Sequence, residues 1–104
     1  MTKPEDLFHQ IAKEIPDSIE GKMFGALCIK ASNGKAGVMF QKDNMIFKLD
    51  NVHLKETLEL KGSQLFDPAG GRPMKEWVQV PFTHNEKWKE LADISMELVK
   101  RIKK

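Results

Sequence analysis

Catalysis needs nucleophiles, acids, bases or metal ligands at workable spacing, and few residues of this chain meet that condition. The three histidines, His9, His53 and His84, lie far apart in sequence. None has a second ligand at helical or hairpin spacing, apart from His53 and Glu56 at i, i+3. One such pair falls well short of the donor set that holds a metal, so no metal site is expected and the imidazoles read as surface groups. Cys28 is the only cysteine. It lies between Leu27 and Ile29 in a strand-like run, where a free thiol behaves as a small apolar side chain. Reactivity would need a base or a helix N-terminus beside it. No serine stands in a G-x-S-x-G elbow. Gly70-Gly71-Arg72 lacks the lysine-serine continuation of a phosphate loop. No catalytic residue and no cofactor is indicated, and the expectation is a non-enzymatic domain.

Two surfaces remain as candidates. The first is the Gly/Pro loop after Phe66 and the strand that follows it. Arg72, Met74, Lys75 and Trp77 there combine an arginine, an adaptable methionine and an indole, the side chains that anchor protein interfaces. A Trp77 hidden within the monomer would remove that anchor. The second is the basic C-terminal end, Lys100, Arg101, Lys103 and Lys104, an alternative nucleic-acid contact. Glu86, Glu90, Asp93 and Glu97 interleave with lysines on the same helix, which is the pattern of a solvated face. Nucleic acid is therefore not the favoured partner. An unidentified protein is favoured, with a homodimer through an unprotected sheet edge as a further expectation.

The bulk composition agrees with this modest reading. A length of 104 residues suits one domain with its own core. Charged residues make up 31% and apolar residues 40%, and the net charge of +2 implies no polyanion partner. A solitary cysteine fits a reducing compartment. No apolar run is long enough to span a membrane, and the N-terminus lacks a signal-peptide h-region. The cytoplasm is the expected location.

The elements that must position these residues follow from periodicity. A first helix from Pro4 to Ile15 carries the stripe Leu7, Phe8, Ile11, Ala12 and Ile15, and Pro16 ends it. Ser18–Lys22 reads as a connector. Strands follow at Met23–Lys30, Lys35–Gln41 and Met45–Leu49, and Gly25 leaves room for a close approach. Asn33-Gly34 predicts a type I′ hairpin, and Lys42-Asp43-Asn44 a second turn. A short helix is capped by Asp50 or Asn51 and stopped near Gly62. Leu65-Phe66 and Trp77–Val80 read as strands. A last helix begins in a capping box of Thr83 and Glu86. Its stripe is Trp88, Leu91, Ala92, Ser95, Leu98, Val99 and Ile102. The predicted fold is an α+β two-layer sandwich, with an antiparallel sheet of about five strands and helices on one face, in the order α-βββ-α-ββ-α.

Several of these pieces together carry a family resemblance. They are Lys22-Met23-Phe24-Gly25, Asn33-Gly34-Lys35, Met45-Ile46-Phe47-Lys48-Leu49, Phe66, Gly71-Arg72-Pro73-Met74, Trp77-Val78-Gln79-Val80-Pro81 and Trp88. In this order and spacing, over residues 18 to 100, the chain resembles the TfoX/Sxy N-terminal domain family. Ala26 stands where the family often repeats glycine. The resemblance implies a secretion-chaperone-like α+β sandwich in a bacterial, cytoplasmic, regulatory protein without enzyme activity. Founding members are associated with the regulation of competence and carry a C-terminal helical domain that has no counterpart in these residues. What the resemblance implies here is a single stand-alone domain over residues 1–104.

Overall fold

The computed structural model describes residues 3–23, 26–67 and 74–101. Helix α1 spans Lys3–Glu14 and buries Phe8, Ile11 and Ala12. Ser18 closes its end by donating its hydroxyl to the carbonyls of Ala12 and Ile15, at 3.0 and 2.7 Å. Strands β1 (Ile19–Met23), β2 (Ala26–Lys30), β3 (Ala36–Gln41) and β4 (Asn44–Lys48) follow, then helix α2 (Asn51–Leu58). Strands β5 (Gln64–Phe66) and β6 (Met74–Pro81) lead through a 3-10 turn at Phe82–His84 into helix α3 (Asn85–Lys100).

All five strand pairings are antiparallel, and the sheet order is β1-β2-β3-β4-β6-β5. The α+β sandwich is as expected, but the sheet has six strands where about five were predicted. The extra one is β1, taken in the sequence for a connector. Its Glu20-Gly21-Lys22 centre lacks strand composition. An edge strand pairs through its backbone on one side only and needs no apolar alternation.

The turns are also assigned differently from the sequence reading. At Asn33-Gly34 the Gly34 N–H donates to the Ala31 carbonyl and the Ala31 N–H to the Lys35 carbonyl, both at 2.9 Å. Only Gly34 has positive φ, at 83°. That is a three-residue loop with a glycine bulge rather than a type I′ turn. The type I′ signature, positive φ at both central residues, falls at Lys42 and Asp43, at 51° and 65°. Asn33 keeps a different task. Its side-chain amide donates to the Val99 carbonyl at 3.0 Å and so satisfies an acceptor in the last turn of α3.

The helices pack on one face of the sheet. There Ile29, Val38, Phe40, Met45, Phe47, Val78 and Val80 meet Phe8 and Ile11 of α1 and Trp88, Leu91, Ala92, Met96 and Val99 of α3. Leu54 and Leu58 of α2 pack against the same core, while Val52 is turned outward. The opposite face carries a smaller cluster, Cys28, Met39, Ile46, Phe66 and Trp77. Helix α3 begins without the predicted capping box. His84 is the N-cap residue and makes no side-chain cap bond. Asn85 instead donates its amide to the Phe82 carbonyl at 2.9 Å, and Phe82 packs edge-on against Trp88. The 3-10 turn shifts the start of α3 by one residue and takes Thr83 out of capping position.

Close approach of helix and sheet occurs at Gly37. The predicted site, Gly25, lies outside the described residues. A Cβ added at Gly37 would meet the Met96 sulfur, the Ser95 carbonyl oxygen and Val99 Cγ2, each at 3.0 Å. The Ser95 carbonyl is backbone and cannot swing aside. Ser95 itself is fully buried, and its hydroxyl has no partner among the described residues. Two substitutions test this contact in opposite directions. Gly37→Ala is expected to destabilise the domain by about 1–3 kcal/mol through overpacking. Ser95→Ala, which removes an unpaired buried hydroxyl, is expected to be neutral or stabilising by up to about 1 kcal/mol. Urea denaturation of both variants beside the wild type measures both signs.

Candidate functional site

Two of the three histidines tie separate parts of the chain together. His9 on α1 places Nδ1 at 2.6 Å from a Glu20 carboxylate oxygen on β1 and Nε2 at 3.5 Å from Glu5. His84 donates its Nε2–H to the Lys61 carbonyl at 2.7 Å and joins the start of α3 to the segment after α2. His53 belongs to the start of α2. Asp50, the N-cap, accepts the His53 backbone N–H at 2.9 Å. The same carboxylate lies 2.9 and 3.0 Å from His53 Nδ1. The His53 backbone N–H, and after it the ring, hold the Asp50 carboxyl below its ordinary value of 3.8.

An Asp–His pair of this kind orients an imidazole and leaves Nε2 outward. General-base catalysis would need a nucleophile at that nitrogen. The nearby hydroxyl, Thr57, is buried and donates to the His53 carbonyl at 2.7 Å. The geometry is that of a helix cap. The sequence reading named Asp50 as a cap candidate but paired His53 with Glu56 and missed the Asp50–His53 contact. The available signal was a cap residue followed three positions later by a side chain that reaches back, the capping-box spacing with histidine in the glutamate's place. Beyond this pair, a shallow groove of about 470 Å³ between α2 and α3 is lined by Asp50, His53, Asp93, Ile94, Glu97, Leu98 and Arg101. Two of its charges are satisfied along α3, Asp93 by Lys89 at 3.0 Å and Glu97 by Arg101 at 3.5 Å. Among the described residues, no group of three or more His, Cys, Asp or Glu is placed to hold a metal.

Cys28 is fully buried on the outer face. Burial pushes its thiol above the ordinary 9.0, against smaller opposing pulls from Lys30 and the Gly21 N–H. The thiolate needed for nucleophilic attack is therefore disfavoured.

The structure separates the residues of the first predicted surface. Arg72 lies outside the described residues. Met74 is the first residue of β6, paired with Phe66, and Lys75 beside it is exposed. Trp77 is only 7% exposed and packs in the outer cluster, so the expected anchor is withdrawn from the surface. Strand alternation turns it to the outer face, where Lys48 places its Nζ 5.9 Å from the ring centroid and 3.6 Å from Glu76. In the second predicted surface, Lys100 is exposed and Arg101 reaches Glu97. Lys103 and Lys104 lie outside the described residues. The basic side chains of α3 that can be placed are thus partly engaged with the acidic ones between them.

One surface has backbone groups left over. The outer edge of β1 is paired with no strand among the described residues. Alternation from the Gln41–Asn44 pair that closes the two-residue turn, carried across β3 and β2, makes Gly21 and Cys28 a hydrogen-bonded pair, so the Gly21 N–H points to β2. Strand alternation then directs the N–H and C=O of Glu20 and Lys22 to the open side. Ile19, at the start of this edge, is 60% exposed. The other edge, β5, is only three residues long. Compared with known proteins, the chain matches no family model, no curated protein and no solved structure.

Two measurements check the assignments made here. Cys28 is expected to resist thiol-specific reagents in the native protein and to react at once in denaturant, followed by absorbance with an aromatic disulfide reagent. Asp50→Ala is expected to lower the melting temperature at neutral pH. Because the folded carboxyl titrates below its unfolded value, its contribution is complete above the ordinary value and is lost as pH falls through the folded value. The gap between variant and wild type should therefore close in acid.

Proposed function

We propose that this chain is a TfoX N-terminal-like domain, a bacterial, non-enzymatic regulatory module that acts in the cytoplasm by protein–protein contact. The observation that carries the reading is the open β1 edge. On this five-residue strand Glu20 and Lys22 offer backbone donors and acceptors unpaired among the described residues, beside an exposed isoleucine. An exposed edge is a ready template for another chain, and β-strand addition is a recurring mode of protein recognition. The helices lie together on one face of the sheet and leave this edge accessible from the side. Support also comes from the polar residues that sequence spacing marks for chemistry. His9 and His84 each hold one element to another, and His53 is engaged with the N-cap of its own helix. No helix among the described residues is long and apolar enough to cross a membrane.

The test compares capture by the wild type and by Lys22→Pro. Proline on an edge strand is tolerated where its missing N–H would have faced solvent, so this variant removes a docking donor and keeps the β1–β2 ladder. In nuclease-treated bacterial lysate, the immobilised wild type is expected to retain a stoichiometric protein that Lys22→Pro loses. Retention by both, or by neither, would count against β1 as the docking element. Retention that disappears with nuclease would favour the basic end of α3 and a nucleic acid.

A further inference from the structure

The residues of β1 read, in order, apolar, acidic, glycine, basic, apolar: Ile19-Glu20-Gly21-Lys22-Met23. That order is complementary to itself when reversed. We infer that the partner at this edge is a second copy of the same chain, joined strand to strand about a two-fold axis through Gly21. The inference rests on the reading of β1 as the docking element and names its occupant.

The register follows from the geometry. With Gly21 opposite Gly21 of the second copy, Glu20 lies opposite Lys22 in both halves of the contact. Ile19 then lies opposite residue 23. Glu20 and Lys22 both stand on the helix side of the sheet, since their partners on β2 are Ile29 and Leu27, which pack in the helix-side core. Residues directly opposite in an antiparallel pair share a face, so the two charge pairs form on one side. Lys22 is exposed and has no ion-pair partner among the described residues of its own chain. Glu20 is already held at 2.6 Å by His9, which fixes the carboxylate beside the edge. The outward N–H and C=O groups of Glu20 and Lys22 supply the hydrogen bonds of the new ladder. Gly21 falls at the central pair that makes no hydrogen bonds, where backbones approach most closely. Such a contact is isologous and closes as a dimer. It joins two six-stranded sheets into one, with the helices of both copies on the same side.

Sedimentation velocity over a wide concentration range tests this. The wild type is expected to show a reversible monomer–dimer equilibrium. Lys22→Glu places two glutamates opposite two glutamates. Glu20→Lys does the same with lysines. Each variant alone is expected to dimerise at least about tenfold more weakly, because two cross-strand charge pairs reverse at once. An equimolar mixture restores every opposite-charge pair and is expected to recover dimer at close to wild-type strength. Far-UV circular dichroism of both variants checks that each stays folded. Glu20→Lys also loses the His9 contact, so if it unfolds, Lys22→Glu alone carries the test. A wild type that stays monomeric, a Lys22→Glu dimer of undiminished strength, or a mixture of folded variants without recovery would each overturn the inference. A monomeric wild type that still captures a different protein through β1 overturns the second copy as occupant and leaves the interaction reading standing.

Discussion

The seating of α3 on β3 is the contact on which the rest of the domain depends. It brings backbone within 3.0 Å of where a Cβ would stand at Gly37. At that distance Trp88, Leu91, Ala92, Met96 and Val99 enter the same core as the central strands. Burying each large side chain of this kind contributes roughly 1.5–3 kcal/mol. The approach has costs as well. The Trp88 indole nitrogen and the Ser95 hydroxyl are enclosed without partners among the described residues. Each unsatisfied group of this kind costs about 1–3 kcal/mol. The apolar burial outweighs them because the stripe runs the length of a 16-residue helix.

Once α3 is seated, polar side chains fix the other elements around it. Asn33 ties the β2–β3 loop to the end of α3. His84 joins the start of α3 to the segment after α2, and His9 joins α1 to β1. Each of these contacts links residues distant in sequence. The histidines therefore act as struts of the two-layer sandwich, and the Asp50–His53 pair, though it has the shape of a catalytic dyad, completes a helix cap. The β1 edge combines unpaired ladder groups with an exposed isoleucine and a self-complementary order of charges.

The legible parts of the fold were those carried by local pattern. The helical stripes repeat with the period of a helix: Phe8, Ile11 and Ala12 of α1 and Trp88, Leu91, Ala92, Ser95 and Val99 of α3 are buried, while Leu98 is half-exposed. The alternation of Val38, Phe40, Met45 and Phe47 against Met39 and Ile46 gave the central strands. The illegible parts depend on neighbours. Glu20-Gly21-Lys22 has no strand composition, yet β2 supplies a ladder for it. Asn33-Gly34 has the strongest hairpin signal, yet the loop closes with a bulge and the type I′ turn falls at Lys42-Asp43. Thr83 and Glu86 have capping-box spacing, but a 3-10 turn moves the helix start past Thr83.

The candidate site divides in the same way. The sequence alone determined an α+β fold of antiparallel strands with helices on one face, because period and turn chemistry are local properties of the chain. It also placed an aromatic and an arginine near the loop after Phe66, but it could not say which side of the sheet Trp77 would face or what would lie over it. Only the tertiary structure decided that Trp77 is buried, that Gly37 admits a helix, and that β1 is an edge paired with no strand among the described residues. The physical reason is that burial, close approach and edge exposure are relations between segments distant in sequence. Each is fixed only when the sheet order and the seat of α3 are fixed.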